Sequence, residues 1–416
     1  MIVGAGLSGL LMSYSLACNE NMEIIVLEKG KRYENRDGAQ GLDLVCGEGG
    51  AGTIYGGKLC FPPASSGVWL RSKMRKDQFK DFMQNVLGKF LPGVYHDYCG
   101  GYLYKKGQIL TKNYPSAYIS RDEMKKFVYR LLGTVKGMGV LILHDSTFLG
   151  YEAINGKFIV KFALNGRYTL MEKVDYLILA SGRESSDSIR KWFTSRTKIK
   201  LQNPDLGLRF SIQDNEWGIF RQIGKDIKIK MQIGCIGVRT FCVCAGGTRT
   251  LVNLNDIQYF DGHFDDIITR EVNLGVLARS PYIVGYEGAA LYCQALKKYL
   301  NADMSLKDFC NYSARLIVSD TMFDDIFNSI KEFIYVLQQE GVLENNLDKY
   351  PVWLPSADRW NAIVETNQYF ETGEKKLYVI GDAVGISRGF IQAMWSAYCA
   401  SKDILLKTYK KIEEIV

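Results

Sequence analysis

The sequence predicts an α/β fold: a parallel central sheet with a β-meander, assembled from both ends of the chain, and an α+β unit inserted between them. Three observations carry that prediction. The first thirty residues read strand, helix, strand. A strand–turn–helix of the same kind returns near the C-terminus. Between about Asn203 and Tyr350 the βα alternation disappears. At 416 residues the chain exceeds one compact core, so two packed domains are expected. Their predicted boundaries are 1–202 with 351–416 for the first and 203–350 for the second.

The elements follow in order. Ile2-Val3 reads as the tail of a strand shorter than the one that usually precedes such a turn, as a trimmed or unusually short N-terminus would leave it. Leu7 to Asn19 reads as a helix, and Glu23 to Glu28 as a buried strand. A glycine-rich segment from Gly38 to Gly57 is too loose for regular structure, and Asp77 to Phe90 has helical spacing. Ser120 opens a helix to about Lys136, with Glu123 three residues on completing a capping box. Gly139 to His144 is a strand. Phe158 to Phe162 and Tyr168 to Glu172 alternate as a hairpin about Asn165-Gly166. Val174 to Ala180 is a buried strand ending in small residues. Short strands are predicted near Leu206–Ile212, Ile227–Ile233 and Arg239–Cys244, then helices. Lys376 to Ile380 is a strand and Ile391 to Tyr409 a helix.

Composition excludes several classes. Hydrophobic residues are 47% and charged residues 23% of the chain, the balance of an ordinary globular protein. Eight prolines and no low-complexity tract argue against long disordered linkers. The net charge of +7 is mild for this length. Basic clusters at Arg71, Lys73, Arg75, Lys76 and at Lys225, Lys228, Lys230 read as solvated surface, with an anionic substrate or a nucleic acid as the alternative. Ten irregularly spaced cysteines fit reduced thiols in the cytoplasm rather than a disulfide scaffold. The first nineteen residues carry no charge, yet no basic segment precedes them as in a signal peptide. No other uncharged apolar run approaches the roughly 20 residues of a membrane span. A cytoplasmic protein without membrane association is expected.

The strongest local signal is Gly4-x-Gly6-x-x-Gly9 between the first strand and its helix. In this Rossmann-type arrangement Gly4 permits the tight turn, Gly6 lets a diphosphate approach the backbone, and Gly9 lets helix and sheet pack closely. The amides of Leu7 and Ser8 open the helix and face the phosphates with its positive end. Glu28, nineteen residues after Gly9 and followed by Lys29, stands where a carboxylate accepts ribose hydroxyls. This fingerprint serves NAD and FAD alike. The C-terminal strand end, Gly381-Asp382, discriminates. An aspartate there suits the ribityl or diphosphate region of FAD, and the helix beginning at Gly389, Phe390 and Ile391 would aim its N-terminus at the flavin pyrimidine. Ala180-Ser181-Gly182 is a third strand end that passes near such a cofactor.

Further blocks carry a resemblance. Glu48-Gly49-Gly50-Ala51-Gly52-Thr53-Ile54-Tyr55-Gly56-Gly57-Lys58-Leu59, Leu208-Arg209-Phe210, Thr240 to Gly247 and Gly381 to Ala393 are similar, in order, to segments of the uncharacterised bacterial FAD-dependent dehydrogenases. Those belong to the glutathione-reductase-like FAD-binding superfamily and are related to fumarate reductase flavoproteins. The resemblance implies FAD, a Rossmann core and redox activity, with Gly52 and Thr53 beside the cofactor. The chain departs from the pattern at Ala245, where proline is usual, and between Asn255 and Gly288, where the family's serine- and asparagine-rich segment is not recognisable.

The expected function is therefore an FAD-dependent oxidoreductase that passes a hydride between flavin N5 and a small, potentially anionic, organic substrate. NAD(P)H or another donor or acceptor would complete the cycle. Lys58 and Arg388 are the candidates for holding negative charge on reduced flavin or substrate. Arg209 and Arg239 are weaker candidates in the inserted unit. Cys242-x-Cys244 reads first as two small apolar groups on a strand. Its spacing suits a redox dithiol less well than Cys-x-x-Cys, and a metal site would need further ligands, with only His96, His144 and His263 in the chain. The alternatives are a flavin monooxygenase, a flavoprotein that binds or modifies RNA, and a non-catalytic FAD scaffold.

Overall fold

The computed structural model describes residues 1–38, 42–94, 102–213, 228–255, 257–263, 269–312 and 323–413. The expected features at His96, Lys225 and Ile227 lie outside them.

A five-stranded parallel sheet is the frame. Its members in spatial order are Leu377–Val379, Leu177–Leu179, Ile2–Val3, Ile25–Leu27 and Leu141–Leu143. Counted along the chain they lie in the order 5-4-1-2-3, so the winding reverses between the first and fourth strands. In open α/β sheets the crevice at such a reversal, outside the carboxyl ends of the strands, is where ligands bind. The strands are short and apolar, and all but the partly exposed edge strand Leu141–Leu143 are largely buried, as strands covered on both faces must be. The helices Leu7–Ala17, Arg121–Gly137 and Phe390–Glu413 contribute to the core around them. The Ser120–Glu123 capping box is present with both reciprocal hydrogen bonds, because the side chains satisfy amides that the first helical turn cannot.

The meander is Ser146–Ile154, Lys157–Leu164 and Tyr168–Val174, all antiparallel. Asn155-Gly156 and Asn165-Gly166 both take positive φ, the conformation of tight hairpin turns.

A second, seven-stranded antiparallel sheet has the order Val352–Asp358, Asp205–Gln213, Glu271–Arg279, Ile236–Ala245, Lys228–Ile233, Ile109–Asn113 and Tyr102–Lys106. It draws strands from 102–113 and 352–358 besides those within 203–350. The helix Asp324–Gln339 packs its apolar face on this sheet, with Ile330 against Gly207. The core is accordingly in two clusters: one around the parallel sheet, the other from Leu206 to Trp360 together with Ile109. Among the described residues no helix is long and apolar enough to cross a membrane.

Candidate functional site

The turn after the first strand is built at the reversal of the sheet. Gly4 has φ +105°, and a Cβ there would stand 2.5 Å from the carbonyl oxygen of Ala180, the residue that follows the fourth strand. Only glycine meets both conditions. At Gly9 a Cβ would lie 1.9 Å from the Gly4 carbonyl oxygen, so helix and strand are in direct backbone contact. Gly6 precedes the helix Leu7–Ala17, which has no capping side chain and no acidic residue in its first turn. Its positive end is therefore not neutralised from within the helix. Ser8 lies against the other end of the chain: a Cβ on Gly381 would fall 2.5 Å from Ser8 Oγ. The two strand ends that the sequence marks, Gly4–Gly9 and Gly381–Asp382, thus abut.

Glu28 is buried and heavily engaged. Its Oε2 accepts from the Ala5 amide at 2.7 Å, and Oε1 from the amides of Gly30 at 2.9 Å and Gly47 at 3.1 Å. A carboxylate oxygen takes about two hydrogen bonds, so Oε2 retains capacity for one hydroxyl. Lys29 follows on the surface.

The glycine-rich segment is folded over the turn rather than away from it. Gly49 donates to the Ala5 carbonyl at 2.9 Å, and a Cβ on Gly6 would lie 3.5 Å from the Gly50 Cα. Arg36 holds this loop in shape from inside, donating to the carbonyls of Asp43, Glu48 and Gly50 and to Thr53 Oγ1. The Gly52 amide donates to Leu44. The fully buried Glu48 carboxylate meets His144 Nε2 at 2.7 Å, Lys136 Nζ at 3.0 Å and the Tyr33 amide at 3.0 Å. Burial opposes its ionisation, but the hydrogen bonds from His144, Tyr33 and Lys136 outweigh it and hold the carboxyl at about 2. Beside this group a cleft of about 380 Å³ opens at the carboxyl ends of neighbouring parallel strands, lined by residues that include Lys31, Arg32, His144 and Asp145.

At the other end the site is a lattice of arginines and aspartates. Arg388 lies 3.3 Å from Asp358 and 3.6 Å from Asp382, and donates to Asn361 at 3.1 Å. Arg183, directly after Ala180-Ser181-Gly182, faces Asp358 at 3.8 Å and Asp382 at 3.7 Å. Arg239 pairs with Asp205 and Asp358. Burial works against the Asp358 carboxylate, yet Arg388, Arg239, Arg359 and Arg183 together hold it far below the usual range. For Asp382 burial wins, and its carboxyl is pushed up despite Arg388 and Arg183. Nε and Nη1 of Arg388, the atoms that face these two carboxylates, are buried and meet them as ion pairs without hydrogen-bond geometry. Gly389, with φ +111°, leads into the C-terminal helix. The Phe390 ring lies where a Cβ on Gly57 or Gly52 would go, at 2.7 and 3.3 Å, while Ile391 is in the core. Ser181 shares a hydrogen bond with Ser185.

The remaining candidates meet across the two units. Lys58, on the strand Gly57–Cys60, donates to the Val243 carbonyl at 3.2 Å. That brings it to Cys242 and Cys244, whose sulfurs are 3.7 Å apart. Arg209 is fully buried beneath them, bonded to Asn273, Asp261 and the Cys242 carbonyl. Among the described residues no three His, Cys, Asp or Glu are grouped to hold a metal. Lys58, Cys242, Cys244 and Arg209 therefore form one cluster, and Arg388 belongs to another, with Arg183, Asp358 and Asp382. Arg36, the Glu48–His144–Lys136 group and the Arg183–Asp358 pair had no local sequence signature. The last two join segments far apart in the chain, and Arg36 reaches across its own loop to residues 7 to 17 positions on.

No protein-family model and no curated protein matches the sequence. Solved structures do. Aklavinone-11 hydroxylase with FAD and aklavinone is 13% identical, covering 99% of this chain and 62% of that one with a TM-score of 0.41. CtdE in complex with FAD and a substrate is 13% identical over 94% and 77%, TM-score 0.39. A flavoprotein/dehydrogenase from Cytophaga hutchinsonii is 10% identical over 96% and 76%, TM-score 0.41. The chain spans 59% of the length of AlpK, another structure it matches. At these identities no activity carries over.

Proposed function

We propose that this chain is an FAD-dependent oxidoreductase, akin to the bacterial dehydrogenases its sequence resembles, that acts on a small anionic organic substrate. The observation that supports this most is the junction of the chain ends. The helix Leu7–Ala17 begins beside the strand end that leads, through the turn Gly381–Val384, to the C-terminal helix, with Ser8 against Gly381 and Gly4 against Ala180 at the reversal of strand order. Neither helix has an acidic residue in its first turn. Helix ends of this kind suit a ligand with negative charge at two places, a diphosphate and a reducible ring.

FAD, when bound, supplies a hydride donor or acceptor at its N5. The chain's own groups do the rest. Gly6, Leu7, Ser8 and Gly9 bind the diphosphate through backbone amides, flanked by Gly52 and Thr53. Glu28 takes a ribose hydroxyl on its remaining acceptor position, beside Lys29, and the cleft by Lys31 and His144 receives the base. Asp382 and Gly381 orient the ribityl chain, with Ala180, Ser181 and Gly182 alongside. Arg388, whose Nε and Nη1 make no full hydrogen bond to Asp358 and Asp382, and the amides of Gly389, Phe390 and Ile391 stabilise negative charge on the pyrimidine edge. Lys58 orients the substrate's anionic group. The second unit, centred on 203–350, covers the reacting face and excludes water.

The test is direct. Purified protein is expected to be yellow, or to become so with FAD but not FMN, and its flavin to be bleached anaerobically by a carboxylate-bearing substrate. Arg388→Met should lower the flavin's midpoint potential, and Lys58→Met should raise KM for that substrate with little effect on FAD affinity. A colourless protein that takes up no FAD would refute the reading. Oxygen-dependent hydroxylation of a substrate would reassign it to the monooxygenases. NAD(P)H added anaerobically shows whether a nicotinamide serves as donor.

A further inference from the structure

The second cluster holds a feature that the cofactor reading does not use. Along an extended strand, residues i and i+2 are about 6.6–6.8 Å apart, too far for the roughly 3.5–4.5 Å between Cβ atoms that a disulfide spans. Cys242 and Cys244 escape this limit through a β-bulge. Phe241 pairs with Gly275 and Cys244 with Asn273, so two residues of one strand oppose a single residue of the other. Cys242 sits in that bulge with φ +44°, and the Sγ atoms come within 3.7 Å. The strand Ile257–His263, which belongs to a separate two-stranded sheet, leaves room for them: a Cβ on Gly262 would stand 2.9 Å from Cys244 Sγ.

The two thiols are not equivalent. Cys244 is buried and Cys242 half-buried. The hydrogen bond shared with Cys244 lowers the Cys242 thiol to about 7; burial and Asp261 oppose this, while Arg209 and Lys58 add to it. That same hydrogen bond and burial push the Cys244 thiol up. A partly buried, acidified thiol beside a fully buried one is the division of labour in a dithiol pair, one attacking and one resolving.

We propose that Cys242 and Cys244 are a redox-active dithiol that exchanges with small organic disulfides and closes to an intrachain disulfide. The Cys242 thiolate attacks one sulfur of R–S–S–R, forming Cys242–S–S–R and expelling R–S⁻. Cys244, losing its proton, then attacks Cys242 Sγ and expels the second R–S⁻. The pair gives up two electrons, and one external disulfide becomes two thiols. None of this requires flavin, so it stands or falls separately from the proposed function.

Oxidised glutathione is the probe, applied to full-length reduced protein with and without added FAD, followed by unfolding, alkylation and tryptic mapping. Cleavage after Arg239 and Arg249 yields one peptide, Thr240–Arg249, containing both cysteines and no others. It is expected to lose both alkylation sites and two hydrogens, while Cys293 and Cys399 stay alkylatable. In Cys244→Ser, glutathione should remain as a stable adduct on Cys242. The proposal is overturned if the wild-type peptide stays doubly alkylated while Cys18 or Cys235 carries glutathione. It is equally overturned if folded Cys244→Ser gains no adduct at Cys242.

Discussion

Gly6 and Gly9 differ in what their missing side chains make room for, and the difference can be measured. A Cβ on Gly6 would rest at 3.5 Å from Gly50, an ordinary contact, and its φ of −72° suits any residue. Gly6→Ala should therefore fold with stability changed by no more than about 1 kcal/mol, yet bind FAD at least about tenfold more weakly, about 1.4 kcal/mol. Urea unfolding and flavin fluorescence titration separate the two effects. Gly9→Ala, with its Cβ 1.9 Å from a carbonyl oxygen, should fail at folding instead. Glu48 makes a pH prediction. Its carboxyl is depressed from 4.5 to about 2 in the folded protein. A depressed carboxylate stabilises above its unfolded pKa and loses that contribution as pH falls through the folded one. Roughly 3 kcal/mol should thus disappear between those two values. Glu48→Gln should flatten this acid limb in chemical denaturation measured against pH.

Among the elements, the helix Arg121–Gly137 shows how local chemistry sets a boundary. Ser120 and Glu123 satisfy each other's amides at its start. Ser120→Ala should cost about 1 kcal/mol, read as a lower denaturation midpoint with an unchanged m-value. This boundary was legible because every group involved lies within four residues. The meander was legible for the same reason at Asn165-Gly166, and Asn155-Gly156 carries the identical signature. The bulge at Cys242 was not. Read as a regular strand, the Cys-x-Cys spacing holds two sulfurs apart; it is the register of Ile236–Ala245 against Glu271–Arg279 that brings them together. That register depends on packing between residues some thirty positions apart.

At the scale of the whole molecule, the two units are tied through charges from distant segments. Asp358 lies on the antiparallel sheet, Arg388 before the C-terminal helix, and Arg183 after the fourth parallel strand. A ligand seated across the chain ends would add to this tie. If FAD binds only the folded state, protein with free FAD at a thousand times its Kd should gain about 4 kcal/mol against denaturant, with the midpoint moving in proportion to the logarithm of FAD concentration. A midpoint indifferent to FAD would contradict the cofactor reading independently of any assay.

By itself the sequence determined the crossover at Gly4–Gly9, the acidic strand end at Glu28, the strand–helix return at Gly381–Asp382 and the parallel-sheet class. Each is a short-range pattern of backbone geometry or periodicity. Only the tertiary structure decided that Ser8 meets Gly381, that Glu48 is caged by His144 and Lys136, that strands 102–113 join a distant sheet, and that Arg388 faces Asp358. Those contacts join residues tens to hundreds of positions apart, and burial rather than local propensity selects among the many pairings such residues could make.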